Sequence, residues 1–271
     1  MHSVVNAITD PQTYGTVLAI YKYVPVFFLV ALLVVDAPYG RFGASFGFEF
    51  GFSKNTAKVA WVTMEMASPL VLFGTIFLVR SSSPVELAWS SGQWLCVTLW
   101  AGHYFNRTVI HPLLCSSMSA MHIFTWLVGL VFNTINGYCN GYWLASHPFS
   151  VDQPRVQLGL LLWSLGCASN IYHDHLLFAL RSYKGKKRQT GRRYMIPVGG
   201  LFTWLSAPNY ISEVVEWVGF YLICGSQPAL LFALSTMGNL LPRAYRTHQW
   251  YGRQFRTYHT YHRKALIPFV F

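Results

Sequence analysis

The sequence predicts an all-α integral membrane protein with seven transmembrane helices. Only 11% of its 271 residues are charged and 53% are apolar, whereas soluble domains carry about 25% charged residues. Apolar runs close to the ~20 residues that cross a hydrocarbon core recur from one end to the other. The Lys and Arg residues lie between these runs, so we expect residues 1–271 to form one membrane-embedded domain.

Seven apolar segments fit membrane spans. They cover residues 16–36, 57–79, 86–111, 118–146, 157–180, 201–224 and 227–246. If the N-terminus is outside, the basic loop 181–193 and the tail 247–271 face the cytoplasm, and the outer loops hold only Arg80 and Arg155. Cytoplasmic loops carry the excess of Lys and Arg, so this orientation is the expected one. The Gly- and Phe-rich residues 37–56 predict a loop at the inner interface.

The net charge of +11 does not point to a nucleic-acid partner. Nucleic-acid-binding domains cluster their basic residues on one polar face, whereas here they fill one loop and the tail. The five Cys residues form no CxxC pair and no metal-ligand spacing. We therefore expect no metal site, and we expect the cysteines to pack as small apolar residues. No internal repeat is visible, which argues against a transporter built from inverted repeats.

Polar residues recur inside the predicted spans. An ionisable side chain there costs about 2.5–3.5 kcal/mol on insertion scales, so each one is a functional-site hypothesis. Several of these residues form pairs four positions apart, which places both members on one helix face. The pairs are Trp61 with Glu65, His103 with Arg107, Asn170 with Asp174, and Asn209 with Glu213. We expect these four stripes to converge on one cavity. The alternative for each stripe is hydrogen bonding that only holds the bundle together.

The expected cavity contains carboxylates, amides and a buried Arg, and it opens to a basic cytoplasmic face. Such a cavity suits a ligand with an anionic end and a polar heterocyclic body. A phosphorylated dinucleotide has both. Carboxylates bind ribose hydroxyls or a carboxamide, and Arg pairs with phosphate. No GxGxxG follows a strand, so no Rossmann module is predicted. The spacing alone leads no further than a polar ligand in a helical bundle.

Four long motifs carry a resemblance to a known family. They are GHYFNRT at 102–108, SNIYHDHLL at 169–177, RYMIPVGGLFTWLSAPNYISEVVEWVG at 193–219 and RKALIPFVF at 263–271. With these motifs the chain resembles the steroid 5-alpha-reductase family, closely over residues 57–271 and weakly before them. The resemblance implies a seven-helix enzyme that takes NADPH from the cytoplasm and a 3-oxo-delta-4 steroid from the bilayer. Its implied reaction is hydride transfer to C5.

The resemblance also implies site residues. Glu65 and Tyr104 match the family's catalytic pair, and Trp61 matches an aromatic residue of the steroid pocket. The matched cofactor positions are Arg107, Asn170, Asp174, Arg181, Tyr194, Asn209, Glu213, His248, Tyr251 and Arg263. We expect the Tyr104 hydroxyl, with a protonated Glu65 beside it, to donate to the carbonyl oxygen that gains charge. Glu216 is interpreted as a structural partner for a basic residue of the tail.

Three departures from the family pattern concern the cofactor phosphates. Relatives carry Asn, Arg and Arg where this chain has Cys115, Met118 and Met195. Lys186, Lys187 or Arg193 is then expected to supply a phosphate contact, and the preference for NADPH over NADH stays open.

The C-terminal tail is expected to cover the cofactor as a lid. The alternative is a basic strip lying on anionic lipid.

Several alternatives remain open at this point. One is a reductase of the same superfamily that acts on another enone or enoyl lipid. Another is a membrane methyltransferase for prenylated cysteine that uses S-adenosylmethionine. A third is a channel or lipid-binding protein whose charges line a pathway. We expect a monomer in a bacterial inner membrane or the endoplasmic reticulum, with membrane lipid and a steroid or other enone lipid as its contacts.

Overall fold

A computed structural model describes residues 2–35, 51–83, 88–186 and 194–266, without the side chains of His2 and of residues 181–186. Most of these residues are helical. The helices are α1 (His2–Thr9), α2 (Pro11–Tyr21), α3 (Val24–Val34), α4 (Ala57–Ser81), α5 (Ser91–Phe105), α6 (His111–Leu114), α7 (Ile123–Ser146), α8 (Pro154–Lys186), α9 (Pro208–Cys224) and α10 (Gln227–Gln254). A π turn, Asn106–Ile110, joins α5 to α6. The strands β1 (Gly51–Phe52) and β2 (Met121–His122) pair antiparallel.

Two helical segments of the described chain are long and apolar enough to cross a membrane by length and composition. They are Pro11–Val34, which combines α2 and α3, and Ala57–Ser81, which is α4. The all-α prediction is therefore confirmed, and these two segments agree with the first two predicted spans. Seven crossings and the orientation of the termini stay predictions.

The first three predicted spans differ from the helices in their bounds. The first is two helices with a turn at Lys22–Tyr23, because Pro25 has no N–H to continue the ladder. The third begins at Ser91, since Ser90 and Gln93 form a reciprocal capping box that starts a helix there. It then continues through the π turn to Leu114.

The later bounds differ as well. Residues before Ile123 form β2 rather than the start of a helix, and α8 runs from Pro154 to Lys186, beyond the predicted 157–180. The prediction that a helix begins at residue 201 is wrong: a 3-10 turn, Gly200–Thr203, comes first, and α9 begins at Pro208. Pro is suited to the first helical turn because its missing N–H would have no partner there. The last helix continues to Gln254, so the predicted tail is helical over its first eight residues.

Close helix pairs hold the bundle at positions where glycine allows contact. On α7, a Cβ at Gly137 would lie 2.5 Å from the Ser68 backbone oxygen, and one at Gly141 would lie 2.7 Å from that of Leu72. Helices with small residues at such spacing approach backbone to backbone. Asn133, one turn before Gly137, donates to the Met64 carbonyl at 2.8 Å. These contacts fix α4 against α7 on both sides of Glu65.

The main core lies between α5, α9 and α10. It contains the buried rings of Trp100, Trp217, Phe220 and Phe232, whose edge-to-face and tilted contacts have centroids 4.1–5.7 Å apart. Buried aromatic pairs of this kind are worth about 0.5–1.5 kcal/mol beyond their area. The core therefore fixes α5 and α9, the two helices that supply Tyr104 and Asn209. Of the predicted inner loop, Gly51–Phe52 forms β1, and residues 37–50 lie outside the described chain.

Candidate functional site

A cavity of about 410 Å³ lies among α3, α4, α5, α7, α8, α9 and α10. Cavities of about 300–1,000 Å³ hold small ligands in proteins. Its walls are of two kinds. The apolar wall comes mainly from Phe28, Phe124, Val128, Phe132 and Phe232. The polar wall is formed by Glu65, Tyr104, Arg107, Asp174, Asn209, Glu213 and Arg243.

Arg107 lies at the centre of the polar wall. Its Nη2 donates to Glu65 Oε1 at 3.3 Å, and its Nη1 lies 4.0 Å from Asp174 Oδ2. The π turn that contains Arg107 inserts an extra residue into the helical ladder, a device common at functional sites. Arg107 Nε is buried and has no hydrogen-bond partner among the described residues. One guanidinium therefore links α4 and α8 and keeps a donor free.

The other predicted stripes are connected to each other. Asn209 Nδ2 donates to Asp174 Oδ1 at 3.0 Å, and Asn170 Nδ2 donates to Glu213 Oε2 at 3.2 Å. Asn170 also donates to the Asn209 backbone carbonyl at 3.1 Å. Asn170 is buried and does not itself line the cavity, so its contacts hold Glu213 and α9 in place. These contacts join α8 to α9.

Trp61 and Tyr104 lie beside this network. Trp61 lines the cavity, donates from Nε1 to the Arg107 carbonyl at 3.1 Å, and carries the Arg107 guanidinium 4.6 Å above its ring. Cation–π contacts of this type are worth about 2 kcal/mol when desolvated. Tyr104 is 3% exposed, lies against the ring of Trp100 at 5.4 Å, and lines the same cavity as Glu65. Trp61, Glu65 and Tyr104 therefore share one cavity, as the sequence predicted.

The predicted cofactor residues of the C-terminal third form a second group. Tyr251 lines the cavity, and Tyr194 packs edge-on against Trp250 at 4.9 Å. His248 Nδ1 lies 2.6 Å from the Ser206 hydroxyl, and burial lowers the pKa of His248. Arg263 is buried, donates to the Pro197 carbonyl at 2.8 Å, and has an Nε without a hydrogen-bond partner among the described residues.

The C-terminal segment is attached to the cavity wall through Ser206. Ser206 lines the cavity, its amide donates to the Lys264 carbonyl at 2.9 Å, and its neighbour Leu205 forms a parallel β-bridge with Lys264. Residues near the end of the chain therefore lie against the segment that precedes α9. The side chains of Arg181 and Lys186, and all of Lys187 and Arg193, lie outside the described part of the chain.

Three features of the site differ from the predictions made from the sequence. Glu216 does not pair with the tail: its Oε1 lies 2.7 Å from His103 Nδ1, and both side chains are buried. Arg243, which was not among the predicted site residues, lines the cavity and donates to the Tyr210 hydroxyl at 3.1 Å. His111, 3.8 Å from Asp174, was also missed. Its position four residues after Arg107 was the signal that could have found it.

Comparison with known proteins identifies the family. A family model described as 3-oxo-5-alpha-steroid 4-dehydrogenase matches residues 119–271. The chain belongs to the 3-oxo-5-alpha-steroid 4-dehydrogenase family. A 3-oxo-5-alpha-steroid 4-dehydrogenase 1 of Bos taurus is 34% identical over 245 residues, covering 89% of this chain and 90% of the relative. A steroid 5-alpha-reductase of Solanum lycopersicum is 32% identical over 220 residues, covering 79% and 80%.

Membership explains why a helical bundle holds this polar cavity. The 3-oxo-5-alpha-steroid 4-dehydrogenase family consists of membrane oxidoreductases. An uncharacterised protein of Schizosaccharomyces pombe is similar along nearly the whole length, at 33% identity over 288 residues that cover 95% of this chain. The similarity to these relatives reaches beyond the matched family region into the earlier helices. It therefore includes Glu65 and Tyr104, which precede residue 119.

Proposed function

We propose that this chain reduces the delta-4 double bond of a 3-oxo-delta-4 steroid to the 5-alpha-3-oxo steroid, with NADPH as the hydride donor. The observation that carries the proposal is a single cavity with a Glu65, Tyr104 and Arg107 cluster on one wall and phenylalanine rings on the other. A steroid is a rigid apolar ring system with one ketone, so its site needs an apolar wall for the rings and hydrogen-bond donors for the ketone. Family membership supports the reaction class.

The residues present fit the nicotinamide and ribose end of NADPH. Asp174, Glu213 and Asn209 offer carboxylate and amide groups, which suit ribose hydroxyls and a carboxamide. Arg107 Nε adds a buried donor without a partner in the described chain. The polar wall carries three acidic side chains and only two Arg side chains, so it has no excess positive charge for phosphates.

The phosphates of the cofactor need a different set of residues. Arg263 is buried with one partnerless Nε, and such an N–H suits a phosphate oxygen. Lys186, Lys187 and Arg193, together with Arg181, are the proposed additional phosphate ligands. When bound, the dihydronicotinamide supplies a hydride to the beta carbon of the enone.

Tyr104 and Glu65 stabilise the charge that develops on the steroid ketone. As the hydride arrives, negative charge moves onto the carbonyl oxygen, and Tyr104 donates its hydroxyl proton in a hydrogen bond to that oxygen. Because Glu65 Oε1 accepts from Arg107, Oε2 is the oxygen that we propose carries a proton and donates to the same ketone oxygen or through Tyr104. Donors already in place of this kind are worth about 2.7–4 kcal/mol each in oxyanion sites.

The test is loss of NADPH absorbance at about 340 nm by the purified chain in detergent, started by adding a 4-ene-3-one steroid. Product analysis identifies the 5-alpha stereochemistry. Tyr104→Phe or Glu65→Gln should lower turnover roughly a hundredfold with little change in NADPH affinity. Tyr172→Phe is the matched control, because Tyr172 is half exposed and does not line the cavity. Near-normal turnover of both site variants would reject these roles.

A substrate panel separates the proposed steroid from other enone lipids. The same assay is run with a trans-2-enoyl thioester and with a polyprenol-derived enone. If kcat/KM is higher for either of these compounds than for the 4-ene-3-one steroid, the proposed substrate is wrong and the proposed reaction class still holds. No NADPH consumption with any of the three would overturn the proposed function.

A further inference from the structure

A buried acid–base pair lies beside Tyr104 and has no part in the roles proposed above. His103 Nδ1 and Glu216 Oε1 are 2.7 Å apart, and the two residues are 5% and 1% exposed. The Trp217 ring packs edge-on against the imidazole at 4.5 Å and fixes its plane. His103 lines the cavity, whereas Glu216 does not. Glu216 therefore holds Nδ1 from behind, and Nε2 is the other ring nitrogen of a side chain that lines the cavity.

We propose that His103 is the acid that protonates the alpha carbon of the substrate, with Glu216 as the residue that positions and charges it. The inference rests on the proposed function and completes it, because hydride addition alone leaves an enolate. The carboxylate of Glu216 accepts from Nδ1–H at 2.7 Å and fixes the orientation of the ring. The second N–H, on Nε2, is then the one available to the cavity.

The step balances in protons and electrons. The hydride supplies two electrons to the beta carbon, and the double-bond electrons move through the alpha carbon to the carbonyl oxygen. The alpha carbon then forms a C–H bond with the Nε2 proton as the enolate returns to a ketone, and the N–H electrons stay on His103. The neutral ring is protonated again by water after product leaves. Net consumption is one hydride and one proton for each double bond reduced.

The charged and titratable groups around the pair come from several helices. Glu65 of α4 lines the same cavity as His103, and Tyr104 of α5 lies next to the ring at 5.0 Å. On the far side, Cys167 of α8 contacts Glu216. With Glu65 protonated, as proposed above, Glu216 is the carboxylate that orients the imidazole. The pair is therefore packed among buried neighbours, and only His103 of the two lines the cavity.

The experiment measures kcat against pH for wild type, His103→Gln and Glu216→Gln, with His147→Gln as the matched control. His147 is exposed and stacks on Trp143, away from the cavity. Wild-type kcat should fall on the alkaline side as His103 loses its proton. His103→Gln should lower kcat by about 10²-fold or more and remove that alkaline limb, with NADPH affinity unchanged. Glu216→Gln should move the limb to lower pH. His147→Gln should match wild type.

The outcomes separate this inference from the proposed function. If wild type itself shows no steroid-dependent NADPH oxidation, the proposed function fails. If wild type is active and His103→Gln keeps both its turnover and its pH profile, the inference is overturned. Should His103→Gln not fold, Glu216→Gln decides, because glutamine keeps the shape and the acceptor oxygen while removing the charge. If the alkaline limb of the pH profile does not move in Glu216→Gln, the proposed role of the His103–Glu216 pair is rejected.

Discussion

Replacing Arg107 by Met should destabilise the folded chain strongly. The substitution keeps much of the side-chain volume and removes the cation that faces Glu65 and Asp174. These three side chains are 11–13% exposed, so water does little to screen their interactions. Asp174 would keep the Asn209 hydrogen bond and the contact with His111.

The magnitude follows from distance and burial. At 4.0 Å, a unit charge pair at an effective dielectric of about 20 interacts with about 4 kcal/mol. Removing one member of a buried pair costs about 3–5 kcal/mol, because the remaining charge stays desolvated. With about 2–4 °C per kcal/mol for a chain of this size, we expect Tm to fall by roughly 6–20 °C.

Thermal unfolding in detergent, followed by the fluorescence of the ten Trp residues, measures the effect. Arg256→Met is the matched control, because Arg256 is exposed. The double variant Arg107→Met with Asp174→Asn should recover part of the loss, since it also removes the buried carboxylate that faced Arg107. A double variant that is no more stable than Arg107→Met alone would show that the two charges are not coupled, and the reasoning would be wrong.

Three further predictions test the packing and the C-terminal segment. Gly137→Ala should lower Tm because its Cβ would lie 2.5 Å from the Ser68 backbone oxygen; Gly74→Ala, with open space around it, is the control. Since burial lowers the pKa of His248, the folded state favours the neutral ring, and its contribution to stability is lost as pH falls below about 6.5. Limited proteolysis should therefore release the C-terminal segment faster at low pH in wild type than in His248→Gln. Removing residues 263–271 should abolish NADPH binding, measured by cofactor fluorescence, because Arg263 and the strand contact at residue 264 are lost.

The polar wall was largely predictable because membrane depth makes each polar residue informative. Spacing by four residues identified Glu65, Arg107, Asp174 and Asn209, and the structure brings all four to one cavity. The helix period determines which residues share one helix face. A charged side chain is costly in lipid, so a polar helix face is expected to pack against a polar face of another helix. Both rules act locally, so a sequence is enough to apply them.

Partners across helices were less predictable because they depend on rotation and register. The π turn at Asn106–Ile110 changes the face that follows Tyr104, and no propensity rule marks it. Glu216 was assigned to the tail because charge patterning favours an Arg or Lys partner, whereas α9 packs against α5 and offers it His103. Arg243 lies beyond the apolar part of α10, yet the helix continues past it and carries it into the cavity.

The same contacts serve the bundle and the site. Asn170 does not line the cavity, but it donates to Glu213 and to the Asn209 backbone, so it joins α8 to α9 and also fixes a carboxylate of the polar wall. Buried polar networks of this kind are stable only when their members are satisfied, since each unpaired group costs about 1–3 kcal/mol. Hydrogen bonding that holds the helices together and binding of a polar ligand are therefore not alternatives here. A substitution in the network loses stability and geometry together, and a change in turnover is assignable to chemistry only when Tm and cofactor affinity are unchanged.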